Sequence, residues 1–429
     1  MTATAVVDHQ HVQDDVPLDE LGDPVEVARA HVLDSALTES EVGPVGLELE
    51  LHLVPADDPS RRPTWAEVLD LVAGLPAMPQ GSAVTLEPGG QIELSTPPAD
   101  GVVAAVEALR ADRQVLRDAL SGAGFGAAPL GADPARAARR INPSQRYDAM
   151  ETHFDALGCA GAGRAMMTAT AALQVNLDAG RREQWDERLH LIRSLVPVLL
   201  AVSSTSPYLG GTSDGWHSMR QGTWQGIDHG RSDPVSQGEP RAAWAFYALS
   251  APVMLLRGEP ADDGSVHCEP VTTRVPFAAW LRGESPFDRA PTLADLDYHL
   301  TTLFPPVRPR GWVEIRCLDA MPDRWWPAMA AITATLVDHP DAAAQALEHV
   351  EPVAEEWQRA ARDGLADPAV RAAAVGCLEI ALAHAPDALR DEVGELVELL
   401  VSGPGPAGLL RRHADAHGPL SLLEEEARA

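Results

Sequence analysis

The chain has 429 residues, enough for two or three structural units, and 45% of them are hydrophobic, so a large core is within reach. Its 33 basic and 63 acidic residues give a formal charge of −30, which argues against nucleic-acid or anionic-membrane binding, since both need positive surface. Every basic side chain is an arginine; without lysine, a Walker phosphate loop, a pyridoxal Schiff base and a protein-kinase lysine are excluded, and phosphate has to be held by arginine, backbone amides or metal.

Residues 1–22 are polar and read as a mobile lead, with no basic start or apolar core of a signal peptide. His9 and His11 in that lead could ligate a metal, but a disordered tail is the preferred reading. No run of ~18 apolar residues offers a membrane span. Cys159, Cys268, Cys317 and Cys377 are too scattered for a CxxC or zinc pattern and read as reduced thiols. A soluble, cytoplasmic protein with no obligatory protein partner is expected.

From about residue 24 to 320, short alternating runs are separated by helical stretches and Gly/Pro-rich loops. In VGLELELHLV, Leu47, Leu49, Leu51 and Leu53 share one strand face and Glu48, Glu50 and His52 the other, because strand side chains alternate. TLEPGGQIELSTPP (85–98) places Gln91, Glu93 and Ser95 opposite Ile92, Leu94 and Thr96 after a tight glycine pair. An amphipathic helix follows over 101–124 and ends at glycine. APLGADPARAARRINPSQRY reads as loop. ALQVNLDAG sets Gln174, Asn176 and Asp178 against Leu173, Val175 and Leu177, and a second helix is expected over 183–205. SDPVSQGEPRAAW reads as loop, and GWVEIRCLD opposes Trp312, Glu314 and Arg316 to Val313, Ile315 and Cys317. After about 322 the helical periodicity of Ala, Leu, Glu and Arg takes over, with no fixed repeat.

Four strands thus repeat one design, an apolar back and a carboxylate or amide front. That suits an antiparallel sheet covered by helices on one side and wet on the other. Glu48 and Glu50 lie ~7 Å apart along one face at ~3.3 Å per residue. Carboxylates added from neighbouring strands crowd like charges, which raises their pKa or binds a cation. Hard oxygen ligands without His or Cys suit Mg²⁺ or Mn²⁺, and such platforms usually hold nucleotide phosphates.

The stretches VGLELE, TLEPGGQIELS, TATAALQVNLD, WHSMRQGTWQGID and HLTTLFPPVRPRGWVEIR occur in that order and closely resemble the plant-type and actinobacterial glutamate–cysteine ligases. The similarity covers roughly residues 40–320 and is closest to the actinobacterial branch that makes γ-glutamylcysteine for ergothioneine. The resemblance implies an α+β, glutamine-synthetase-like fold: a curved antiparallel sheet with helices on its outer face, forming a ligase domain over 23–321, with a C-terminal helical region (322–429) packed on it. It implies a Mg²⁺-dependent reaction of L-glutamate, ATP and L-cysteine. Glu48, Glu50, Glu87, Glu93, Gln174 and Glu314 match metal-ligand positions, with Glu93 and Arg316 as the catalytic pair and Arg316 aimed at the γ-phosphate. Arg220, with Arg231 as a second candidate, matches the substrate-carboxylate arginine, and Trp224 a pocket wall. Thr301, Thr302 and Arg310 fall where nucleotide contacts are expected. Gly89 and Gly90 would let Glu87 and Glu93 reach one cation site.

Cys317 is expected in the core, and nothing in the spacing of Cys159 and Cys268 supports the redox disulfide of some plant members. Trp325 and Trp326 are expected to pack. His52 has two readings, joining the acidic site or ending its strand. Alternatives for the whole chain are a ligase making a different γ-glutamyl amide, a catalytically silent nucleotide or glutamate sensor, and a guanidino kinase, which has no motif support.

Overall fold

The structure, a computed structural model, describes residues 16–260 and 266–429. Its centre is an open antiparallel sheet in the order β2 (Ala83–Leu86), β3 (Ile92–Ser95), β1 (Pro44–Pro55), β6 (Leu173–Leu177), β10 (Val313–Ile315) and β9 (Val307–Pro309). Short strands β4 (Ala99–Asp100) and β5 (Phe125–Ala128) also pair with β1, one at each end. β7 (Leu255–Pro260) and β8 (Val266–Pro270) form a separate hairpin. The α+β class expected from the sequence, an antiparallel sheet backed by helices, holds.

Register brings the alternating residues into rows. Thr85, Glu93 and Glu50 align in one row on the front of the sheet. Ser95, Glu48 and Gln174 form the next, and Asn176, Glu314 and Arg308 a third. On the back, Leu47, Leu49, Leu51, Ile92, Leu94, Val175 and Ile315 have no exposed surface. Each such side chain contributes roughly 1.5–3 kcal/mol by leaving water.

Two helices cover this back. Gly101–Gly122 packs on β1 and β3 through a stripe that includes Val106, Leu109, Leu116 and Leu120. Trp326–Asp338 packs on β6 and on the first helix, and it is buried all round, from Trp326 to Val337. The helix expected over 183–205 is observed at Trp185–Ser203. The last helix, Pro419–Arg428, lies against β5, where a Cβ on Gly126 would stand 2.3 Å from the Ala427 carbonyl oxygen. The C-terminal helices share one continuous hydrophobic core with the sheet.

Three expectations need correction. The lead expected to run to residue 22 is already docked by residue 18: Leu18 is fully buried, and its N–H donates to the Pro291 carbonyl at 2.9 Å. His9 and His11 lie outside the described residues. The stretch read as loop up to residue 147 ends in a helix, Gln145–Ala156, which starts right after Asn142, Pro143 and Ser144. The one read as loop through 244 likewise ends in a helix, Pro240–Ser250, opened by Glu239 accepting from the Ala242 N–H at 2.7 Å. Among the described residues no single helix is long and apolar enough to cross a membrane.

Candidate active site

A cleft of about 290 Å³ opens on the polar front of the sheet. Its floor is Glu48 and Glu50 from β1, Glu93 from β3 and Gln174 from β6, with Glu87 and Pro88 from the turn before β3. That turn depends on its glycines. Gly90 has φ +82°, and an added Cβ would meet Ile141 Cδ1 at 2.4 Å; a Cβ on Gly89 would stand 2.1 Å from the Thr168 carbonyl oxygen. The turn closes with the Gly90 N–H donating to the Glu87 carbonyl and the Glu87 N–H to the Gln91 carbonyl, both at 2.9 Å. Gln91 therefore sits below the turn rather than on the open face. It is buried and its amide donates to the Thr170 carbonyl at 2.8 Å.

Three of the floor carboxylates have hydrogen-bond partners. Glu93 accepts from the hydroxyls of Thr85 (2.8 Å) and Ser95 (2.9 Å). Glu48 accepts from the Asn176 amide at 2.9 Å, and Glu50 from the Ala172 N–H at 2.9 Å. At Glu48 and Glu50 these bonds do not offset the loss of water and the mutual repulsion. Burial, then Glu93 and Glu314, push the Glu48 carboxyl up. Burial, then Glu87 and Glu93, push Glu50 well above its ordinary range. Burial and Glu93 push Glu87 up to about 7. Such a set holds excess negative charge that a cation would neutralise.

The third row behaves differently. Glu314 accepts from Arg308 Nε at 2.6 Å, from Arg310 Nη1 at 3.2 Å and from Arg316 Nη1 at 3.4 Å. Burial pushes its carboxyl up, but Arg308 and Arg316 outweigh this and hold it below its ordinary value. Arg316 also donates to the Gln174 amide oxygen at 2.6 Å. Gln174 and Glu314, expected among the metal ligands, thus have their oxygens taken by arginine. The missing element was Arg308, which faces Glu314 across β9 and β10 and whose guanidinium burial lowers to about 10.

The rest of the wall comes from three segments. Arg146, Tyr147 and Met150 project from Gln145–Ala156, Met166, Met167 and Thr170 from the chain before β6, and Thr301 and Phe304 from the chain before β9. Arg220 and Trp224 come from the helix Met219–Gly226. Arg220 is anchored to the carbonyls of Cys317 (3.2 Å) and Arg316 (3.0 Å) and stands close enough to Glu50 to favour that carboxylate. Arg146 donates to the Thr301 hydroxyl at 2.9 Å.

Several expected site residues lie elsewhere. Arg231 is fully buried away from the cleft; its Nε donates to both oxygens of Asp228 (2.7 and 2.8 Å), Nη1 to the Thr302 carbonyl (3.1 Å) and Nη2 to the Pro252 carbonyl (2.8 Å). Thr302 is buried with it and donates to the His299 carbonyl. Arg310 stands outside the cleft over the Trp312 ring. His52 does not join the acidic floor: β1 switches to β5 at that point, and its ring meets the Leu130 carbonyl at 3.1 Å while burial lowers its pKa to about 4. Cys317 is buried and burial pushes its thiol up to about 12, as a core residue requires. All four cysteines are free.

Among the described residues, no three Asp, Glu, His or Cys side chains converge closely enough to close a metal shell as they stand. The donor chemistry still fits a hard divalent cation at Glu48, Glu50, Glu87 and Glu93: all are oxygen donors facing one cleft, and the first three are raised by burial and by neighbouring carboxylates. Glu314, neutralised by three arginines, does not fit that role in this arrangement.

The model of glutamate–cysteine ligase family 2 matches residues 44–426, from the start of β1 into the last helix. The chain belongs to this family. As a member of glutamate–cysteine ligase family 2 it is an ATP-dependent ligase. It is 46% identical over 407 residues to the glutamate–cysteine ligase EgtA of Mycolicibacterium smegmatis, covering 94% of this chain and 95% of that one. It is 46% identical over 411 residues to EgtA of Mycobacterium tuberculosis (95% and 93% covered). The chloroplastic glutamate–cysteine ligase of Arabidopsis thaliana is 27% identical over 311 residues, 70% of this chain and 57% of that one. Among solved structures, the glutamate–cysteine ligase of Francisella tularensis in complex with AMP shares the fold, with TM-score 0.54 at 14% identity over 91% and 89% of the two chains.

Proposed function

We propose that the protein joins the γ-carboxylate of L-glutamate to the amine of L-cysteine, with ATP and Mg²⁺, to give γ-glutamylcysteine for ergothioneine synthesis. The observation that carries this reading is one cleft holding four carboxylates, Glu48, Glu50, Glu87 and Glu93, opposite the fixed cations Arg220 and Arg316. Full-length similarity to the two EgtA ligases, well above that to the chloroplastic enzyme, supports the acceptor and the pathway.

A glutamate γ-carboxylate oxygen attacks the γ-phosphorus of ATP, ADP departs, and an acyl phosphate results. The cysteine amine then attacks the acyl carbon, phosphate leaves with the C–O bond pair, and the ammonium proton is lost. A Mg²⁺ ion held by Glu48, Glu50, Glu87 and Glu93 would screen two anions from each other and neutralise charge on the transferred group. Arg316, fixed between Gln174 and Glu314, presents a positive charge that needs no reorganisation during transfer. Arg220, buried and anchored by two backbone carbonyls, offers its remaining donors to a substrate carboxylate. Arg146 and Thr301 form a polar rim that can meet the nucleotide.

The test measures phosphate release with ATP and Mg²⁺, first with glutamate alone, then with cysteine, and identifies the product by mass. Cysteine-dependent release with a γ-glutamylcysteine product is expected. Equal turnover with glycine or ammonia would replace the assignment with a broader γ-glutamyl amide ligase.

A further inference from the structure

The apolar wall of the cleft is held from behind by a buried polar knot outside the reacting centre. Asp228 and Arg231 are its centre, with side chains 2% and 0% exposed. Besides the bifurcated bond from its Nε to Asp228, Arg231 binds two segments. Its Nη1 donates to the Thr302 carbonyl, and its own carbonyl accepts from the Phe304 N–H at 2.6 Å. The chain on both sides of Leu303 is thus tied to one residue. The neighbouring Ser232 hydroxyl donates to the Trp224 carbonyl at 2.9 Å. Across the knot, His153 Nε2 stands 3.6 Å from Asp228, and His153 lies on the same helix as Met150.

Three wall elements converge on this pair: the helix that bears Met150, the helix that bears Trp224 and the segment that bears Phe304. The Trp224 and Phe304 rings meet at 5.3 Å, and the Trp224 indole N–H is buried without an acceptor. These side chains face the carboxylate floor across the cleft. Of the two amino acids in the proposed reaction, glutamate carries a carboxylate side chain suited to arginine and cation. Cysteine carries a small polarisable one suited to an aromatic and thioether wall. We propose that the buried Asp228–Arg231 pair is a positioning brace that sets the Trp224–Phe304–Met150 wall and thereby the affinity for the acceptor amino acid. This rests on the ligase reading above, and it gives Arg231 a task different from the direct substrate contact its sequence suggests.

Removing one partner leaves a buried charge unpaired and can unfold the protein, so the informative variant is the apolar pair Asp228→Leu/Arg231→Met, alongside Arg231→Lys. The double variant removes the charge but also the donors to Thr302 and Pro252. For the folded double variant, KM for cysteine is expected to rise about 10-fold or more, since small misplacements of a positioning wall cost up to ~10²-fold. Its KM for ATP and for glutamate and its kcat at saturating cysteine should stay within about 3-fold of wild type. Arg231→Lys has too few fixed donors for all four bonds and should fall between the two. If the double variant melts like wild type and keeps the wild-type KM for cysteine, the brace is wrong. A rise confined to KM for ATP would equally overturn it, by assigning the wall to the nucleotide. If the double variant does not fold, Arg231→Lys decides alone: an unchanged cysteine KM refutes the brace, a selective rise supports it. Failure of wild-type enzyme to use cysteine at all would instead refute the ligase reading.

Discussion

At the scale of single residues, Glu87 concentrates the electrostatic problem of the site. Its carboxyl is raised from 4.5 to about 7 by burial and by Glu93. Below about pH 4.5 both the folded and the unfolded chain hold the proton, and no cost arises. Between there and about 7 the unfolded carboxyl ionises while the folded one stays protonated, so stability falls as pH rises. Above about 7 the loss is complete, at most about 3 kcal/mol and less where solvent reaches the half-buried carboxyl. Urea midpoints of the cation-free protein should therefore drop between pH 5 and pH 8, and Glu87→Gln should flatten that drop. Added Mg²⁺ should restore more stability at pH 8 than at pH 5. A Glu87→Gln variant as pH-sensitive as wild type would refute this origin. Residue-level reading of the sequence reached Glu48, Glu50, Glu93, Gln174 and Glu314 because period-two alternation reports which face a side chain takes. It could not report that Glu314 is already neutralised, because the arginine opposite it is fixed by hairpin register and not by local pattern. Nor could it separate Arg220 from Arg231: both are buried arginines on the same stretch, and only the tertiary position of Asp228 and Thr302 tells which one is spent internally.

Among elements, the glycine turn before β3 is the least replaceable. Gly89→Ala would set a methyl 2.1 Å from a backbone carbonyl that cannot swing aside. Overpacking of this kind typically costs about 1–3 kcal/mol, and here it would also displace Glu87. Gly122→Ala, at a helix end with nothing within 4 Å, should be neutral or slightly stabilising. Denaturation midpoints and Mg²⁺-dependent turnover of the two variants, measured side by side, check this; equal behaviour would show that the turn tolerates relaxation. The two back-covering helices were legible from their periodicity, the first with a glycine stop and the second closed by a proline. The helix Gln145–Ala156 was not, since its first turn follows a Pro- and Asn-containing stretch and its outward face is polar. With it went Arg146, Tyr147 and Met150, three residues of the cleft wall. His52 was ambiguous for a related reason: the strand is continuous, but its pairing with β3 ends at Leu51 and that with β5 begins at His52.

For the molecule as a whole, the boundary near residue 322 marks a change in composition rather than a separable unit. Trp326–Asp338 covers the back of β6, and Pro419–Arg428 covers β5. A chain ending at residue 321 would expose part of the sheet's apolar back and should fail to fold, giving no near-ultraviolet dichroism and rapid proteolysis. A cooperative melt of that fragment would contradict the single core. The same architecture has a further consequence through β1, whose residues alternate between the leucines under the helices and the glutamates of the cleft. A slip of one position in its pairing would drive Glu48 and Glu50 beneath the helices and turn Leu47, Leu49 and Leu51 outward, an arrangement too costly to persist. The alignment of the acidic floor is therefore proofread by the hydrophobic layer behind it: any chain that has buried its leucines has already aimed its carboxylates.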